Sequence, residues 1–131
     1  MQRNLKNIAW FVGFAIAFAA VRYGQAGPDP LLQKAADKIM PDLPRQIDIV
    51  TRLDSVSAGP DNRFTYNYTL LSPEGEKLIQ NNQDMRKAEM LTKACDAMPD
   101  FRRLGTTLDY NYKNAAGNKL TTLEISLKDC K

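Results

Sequence analysis

Two cysteines, two close pairs of carboxylates and a repeated Tyr-Asn-Tyr are the side chains of this 131-residue chain whose types and spacing suit chemistry. Cys95 and Cys130 form no Cys-x-x-Cys pair, and the chain has no histidine. Dithiol exchange, Ser-His and Cys-His nucleophiles and histidine metal sites are thereby excluded. In an exported chain such a widely spaced pair reads as one structural disulfide, closing a loop worth about 4 kcal/mol in the chain-entropy model. In a reducing compartment the same residues are two free thiols.

The carboxylate pairs are Glu74/Glu76 and Asp96/Asp100. The first favours a helix start and the second brackets a helix end, and neither has a sequence neighbour that would tune it for acid-base work. Glycine-rich phosphate-binding patterns are missing. The reading is therefore non-enzymatic, with no cofactor and no metal; an enzyme using carboxylates or tyrosines in a cleft is the remaining minority reading.

Tyr-Asn-Tyr occurs in Thr65–Thr69 and again in Asp109–Lys113. A period of two puts Phe64, Tyr66, Tyr68 and Leu70 on one strand face, and Leu108, Tyr110 and Tyr112 on one face of the other. These tyrosines form either an exposed platform for a partner or a core face with hydroxyls at its rim. The polar character of the alternate positions favours the core. Thr65, Asn67, Thr69, Asp109, Asn111 and Lys113 are then a hydrated outer sheet face, and the candidate surface for a protein partner.

The elements that must carry these side chains follow from pattern and punctuation. Asp29 caps and Pro30 opens a helix with Leu32, Ala35, Ala36 and Ile39 on one face, ended by Pro41 and Pro44. Arg45–Ser57 alternates as one strand with Ile47, Ile49, Thr51 and Leu53 on one side; Ala58–Asn62 turns, and a second strand follows as a hairpin. Pro73 to Met98 reads as one helix with Leu78, Met85, Ala88, Leu91, Cys95 and Met98 near helical spacing. A second hairpin places Leu123, Ile125 and Leu127 together near the carboxyl end. The expected architecture is α+β: an N-terminal membrane helix, then an αββαββ domain with a four-stranded, mainly antiparallel sheet and two helices packed on one face. A bridge between Cys95 and Cys130 ties the last strand to the second helix. How the hairpins pair with one another stays open.

The apolar run Asn7–Val21 carries no charge. Its 15 residues span about 22 Å as a helix, short of a bilayer core of about 30 Å. Residues 1–23 are read as a membrane anchor or a signal segment, 24–30 as a linker, and 31–131 as a periplasmic α+β domain, with cleavage near Ala26 as the alternative to anchoring. Ala9, Gly13 and Ala17 form a small-residue stripe suited to helix packing or self-association in the bilayer. The net charge of +3 comes from Arg3, Lys6 and Arg22, since lysine plus arginine balance aspartate plus glutamate, 15 against 15, from Gly27 onward. The domain thus lacks the basic excess of a nucleic-acid binder.

The stretches "LPRQIDIVTRLDSVSAGPDNRFTYNYTL" and "LGTTLDYNYKNAAGNKL", a cysteine near a helix end, a terminal "DC" and the leading apolar segment together resemble a group of small bacterial cell-envelope proteins of unassigned function. The resemblance covers Leu31 to Cys130 and implies no substrate and no catalytic residue. The expectation is a non-enzymatic accessory protein, anchored in the inner membrane, whose periplasmic domain binds a protein partner of the envelope. The alternative is a cleaved, periplasmic or secreted inhibitor or immunity-type binder.

Overall fold

The computed structural model describes residues 28–131. The segment 1–23, its stripe of Ala9, Gly13 and Ala17, and linker residues 24–27 lie outside the described residues. Among the described residues no helix is long and apolar enough to cross a membrane, so nothing in the fold bears out the expected membrane helix.

Helix α1 runs Pro30–Ile39, and its start is as the sequence predicts. The Asp29 carboxylate accepts the Leu31 amide at 2.8 Å, with Pro30 in the first turn where its missing N–H costs nothing. Leu32 and Ala36 are buried, while Ala35 and Ile39 pack at the margin of the core. A single 3-10 turn at Met40–Asp42 leads into the sheet.

Five strands, not four, make that sheet: β1 (Arg45–Asp48), β2 (Thr51–Gly59), β3 (Arg63–Leu70), β4 (Thr107–Asn114) and β5 (Lys119–Ser126), in spatial order β1-β2-β3-β4-β5. The continuous strand expected over Arg45–Ser57 reverses at Ile49 and Val50. Asp48 accepts the Val50 amide at 2.9 Å through its side chain, an Asx-type turn, and the Val50 carbonyl accepts from Leu71 at 2.7 Å. Ile49 is consequently 83% exposed instead of buried beside Leu53. The sheet is also mixed. β3 and β4 pair in parallel from Arg63 opposite Thr107 to Leu70 opposite Asn114, whereas the other neighbours are antiparallel. A parallel pair needs a long crossover, and the helices between β3 and β4 supply it.

The crossover is three helices where one was expected: α2 (Pro73–Gln80), α3 (Gln83–Ala97) and α4 (Pro99–Leu104). Asn82 takes the left-handed conformation at φ 54°, which interrupts the helix and resets its phase. Ile79 therefore enters the core, while Leu78 and Met85 are mostly exposed. α2 begins at Pro73 with its Gly75 amide donating to Ser72 Oγ at 3.3 Å. Gly75 is there for space, since a Cβ on it would lie 3.0 Å from Val50 Cβ.

Between helices and sheet lies one core built from Leu32 of α1, Ile79 of α2, Ala94 of α3, Phe101 of α4 and the inward faces of β2 to β5. Two devices hold its layers in place. The three-residue β2–β3 turn carries positive φ at Asp61 and Asn62, residue types that tolerate the left-handed region. Asn62 then braces the α4–β4 junction: its amide donates to the Leu104 carbonyl at 2.7 Å, and its side-chain oxygen accepts from Thr106, which is fully buried, at 2.9 Å. The second device is the Cys95–Cys130 disulfide, with Cα atoms 5.8 Å apart, which ties the chain's end to the last turn of α3.

Two outcomes test this account. Asn62→Gly keeps the backbone conformation available but strands the Thr106 hydroxyl and the Leu104 carbonyl; urea unfolding should show a loss of roughly 1–3 kcal/mol. Reduction of the disulfide, or Cys95→Ser with Cys130→Ser, should cost about 4 kcal/mol in the same measurement, and the single Cys130→Ser should cost no less.

Candidate functional site

The parallel pairing of β3 and β4 sets the two Tyr-Asn-Tyr copies side by side in register, with Thr65 opposite Asp109, Tyr66 opposite Tyr110, Asn67 opposite Asn111, Tyr68 opposite Tyr112 and Thr69 opposite Lys113. All six residues expected to form the partner surface are therefore neighbours on one sheet face. What the sequence does not reveal is how far they are occupied with one another.

Asn111 donates to Asn67 at 3.0 Å, Asn67 donates to Ser55 at 3.0 Å, and Thr122 donates to Asn111 at 2.7 Å, a chain of side-chain bonds across β2, β3, β4 and β5. Beside it, one terminal nitrogen of Arg63 donates to both Asp109 oxygens, at 2.9 and 2.8 Å, and the other donates to Glu124 at 2.7 Å. On the other flank the β-bulge in β2 brings Asp54 to Thr69 at 2.5 Å and Arg52 at 2.6 Å. These donors, together with the Lys113 charge, hold the Asp54 carboxyl below its ordinary range against the opposing effect of burial, the largest single influence. Thr69 is buried and Lys113 remains exposed. The face is a self-satisfied polar lattice with little unspent hydrogen-bonding capacity to offer a partner.

The tyrosines fill the opposite face, as the alternation predicts. Tyr66 stacks on Tyr110 at 4.9 Å and Tyr68 on Tyr112 at 5.0 Å, and all four are buried under the helices. Burial pushes the Tyr66 and Tyr112 hydroxyls up to about 12, and raises Tyr68 and Tyr110 as well. The fourfold stack is structural, which removes the aromatic-platform reading.

The carboxylate pairs gain no site either. Glu74 and Glu76 lie in the first turn of α2, Asp100 pairs with Arg103 at 2.8 Å, and both aspartates are exposed. Among the described residues no cluster of three metal-ligating side chains occurs.

The feature the sequence reading missed is a groove of about 750 Å³ between α1 and the α3–α4 corner. Leu31 and Ala35 line one wall, Met98 and Phe101 the other. Phe101 itself is anchored against Phe64, ring centres 5.0 Å apart. Lys34 and Lys38, one turn apart on α1, stand at the rim with Asp37 and Asp100, and neither lysine is in an ion pair among the described residues. The available signal was Leu31, one turn before Ala35, which widens the apolar face of α1 beyond the stripe read from the sequence. Phe101 gave no such warning, because it falls between Pro99, which closes the expected helix, and the strand that follows.

Comparison with known proteins gives the fold alone. No family model and no curated protein matches this chain. Among solved structures, a Pseudomonas aeruginosa protein described as secreted aligns with a TM-score of 0.66 at 16% identity, covering 77% of this chain and 90% of its own. EpsS, a pilotin of the Vibrio vulnificus type 2 secretion system, aligns at 0.55 and 14% identity, covering 77% and 89%. AspS, a type II secretion system pilotin from Vibrio cholerae, aligns at 0.55 and 10% identity, covering 76% and 89%.

The stacked tyrosines also make an alkaline prediction. Their folded pKa values lie above the unfolded 10.0, so the stabilisation is complete below pH 10 and is lost as pH rises toward 12. Tyrosinate absorbance should appear together with loss of tertiary circular dichroism, whereas free ionisation near pH 10 in an intact fold would contradict the buried stack. Tyr23 lies outside the described residues and is replaced by Phe for this titration.

Proposed function

We propose that this protein is a non-enzymatic accessory protein of the bacterial envelope, which holds an amphipathic helical segment of a protein partner in the groove between α1 and α4. The groove carries the reading. Its apolar walls end in a mixed rim, Lys34 and Lys38 on one α1 face with Asp37 and Asp100 beside them, and the two lysines, unpaired among the described residues, suit acidic residues at the same four-residue spacing along a bound helix. Its volume admits several apolar side chains but not a folded domain. The polar sheet face contributes less, because its amides and charges already pair with each other.

Compartment enters through the disulfide, which persists where thiols are oxidised, and through the likeness of the fold to pilotins of type 2 secretion systems. A released, inhibitor-type binder is the second reading, favoured by the higher structural score of the Pseudomonas aeruginosa protein described as secreted. Both readings use the same groove, and fractionation of the expressed protein separates them.

The test places a photo-crosslinking residue at Ala97, on the groove wall opposite α1, and compares variants in the native host. A single envelope protein should be captured, with capture lost on Ala35→Glu and weakened roughly tenfold on Lys34→Glu with Lys38→Glu, as for loss of charge complementarity at a rim. Lys113→Glu on the sheet face should leave it unchanged. Capture that survives Ala35→Glu but fails with Lys113→Glu would move the site to the sheet.

A further inference from the structure

A second concavity, of about 180 Å³, lies over the carboxyl ends of β3 and β4 and is separate from the groove. Tyr68 and Tyr112 contribute to its lining from the sheet, Ile47 and Val50 from the β1–β2 turn, Leu78 from α2 and Arg86 from α3. Ile47 and Leu78 are about half exposed, at 47% and 55%, and form an apolar mouth. Neither belongs to the core cluster.

Arg86 distinguishes this concavity from an ordinary packing gap. One terminal nitrogen donates to the Leu78 carbonyl at 2.7 Å, which fixes the guanidinium on the α2–α3 corner. Its Nε is buried and has no hydrogen-bond partner. A buried, unspent donor on a cationic group is costly, and native proteins keep such donors where a ligand or water completes them. The Tyr68 and Tyr112 hydroxyls likewise make no hydrogen bond among the described residues, and Arg86 lies close enough to Tyr112 for its charge to act on that hydroxyl. Two phenolic hydroxyls and a guanidinium therefore line one small space, in which Asp48 is the one carboxylate. Asp48 is the other charged group at this end, and it acts on Tyr112 in the opposite sense. Its carboxylate accepts the Val50 amide at 2.9 Å and forms no ion pair with Arg86 among the described residues.

We infer that this concavity is a binding site for a single carboxylate carried on a short apolar stem, its oxygens on Arg86 Nε and the tyrosine hydroxyls, its stem between Ile47 and Leu78. Donors outnumber the one carboxylate, Asp48, which already accepts the Val50 amide, and this favours an acceptor as ligand. One cation beside Asp48 suits a monoanion and disfavours a phosphate dianion. The small volume and apolar mouth select a stem of a few carbons. The carboxylate is either that of a free small acid or the side chain of an acidic residue on a bound polypeptide; the chemistry is shared. The site does not depend on the groove or on the function proposed for it.

The test is titration of the folded, disulfide-intact chain, followed by NMR of the Arg86 Nε–H and the amides around Tyr68 and Tyr112. The probes are sodium isovalerate, isovaleramide, and N-acetyl-glutamic acid amide. Isovalerate should shift these signals saturably, and isovaleramide, without the charge, should bind at least roughly tenfold more weakly. Arg86→Met should weaken isovalerate by roughly tenfold or more, and Arg86→Lys should not restore it, because lysine lacks the inward Nε. Tyr112→Phe keeps the ring stack and serves if the arginine variants unfold; it should reduce affinity several-fold. N-acetyl-glutamic acid amide matching isovalerate makes an acidic side chain a source, and its failure beside a binding isovalerate restricts the source to free acids. Equal binding of acid and amide, unsaturable shifts, or isovalerate affinity unchanged in Arg86→Met would overturn the site and leave the Nε to a bound water.

Discussion

The in-register parallel contact between the two Tyr-Asn-Tyr segments is the constraint on which the other features depend. On the helix side it stacks Tyr66 with Tyr110 and Tyr68 with Tyr112, which buries four large rings in one layer. On the other side the same register brings Asn67 to Asn111, where each amide can donate to and accept from a neighbour. A slip of one residue would turn tyrosines outward and asparagines into the core. A slip of two would keep the faces but leave one ring and one amide in each strand without its mate. The repeat thus selects both the face and the offset; being palindromic it would do so in either strand direction, and the parallel direction goes with the helical crossover between β3 and β4.

That constraint explains where the sequence was legible. Periodicity of two identified the tyrosine face and the polar face correctly, and the cap at Asp29 and the pairing of Cys95 with Cys130 needed only local or pairwise information. The parallel pairing was not legible, since each hairpin is self-contained and its outer strand could meet either edge of the other. The sheet gained a fifth strand because Ile47 and Ile49 continue the alternation through a reversal that a single aspartate side chain directs. The crossover broke into three helices because an asparagine pair supplies a left-handed residue at no great cost, a local event that an average over a helical window hides.

The same breaks create the surfaces to which function is assigned here. Had Pro73–Met98 been one helix, Leu78 and Met85 would have pointed into the core, and Arg86 would have had no corner to turn around. Had Pro99–Leu104 been a loop, Phe101 would not have been fixed against Phe64, and the wall facing α1 would be missing. The candidate partner residues chosen from the sequence share one sheet face, and four of the six are bonded across strands. Asn67, Asn111, Thr69 and Asp109 were read as exposed because they are polar; they are instead spent on cross-strand bonds. Polarity on a sheet face shows that water or another polar group is near, and a second strand of the same composition is the commonest such group.

The two concavities divide along the only parallel strand pair in the described residues. Phe101 and its groove lie near the amino ends of β3 and β4, over Phe64, while Tyr68, Tyr112 and Arg86 lie near their carboxyl ends. In open α/β sheets the carboxyl ends of parallel strands are where the chain departs into a crossover and leaves a crevice for ligands. Here the departure is through Leu71 and Ser72 into α2, and the return of α3 above it carries Arg86. The ends of the crossover carry two of the domain's concavities, one apolar with lysines and aspartates at its rim and one small with a guanidinium beside a carboxylate, so their ligands must differ in size and in the depth at which their charge is met.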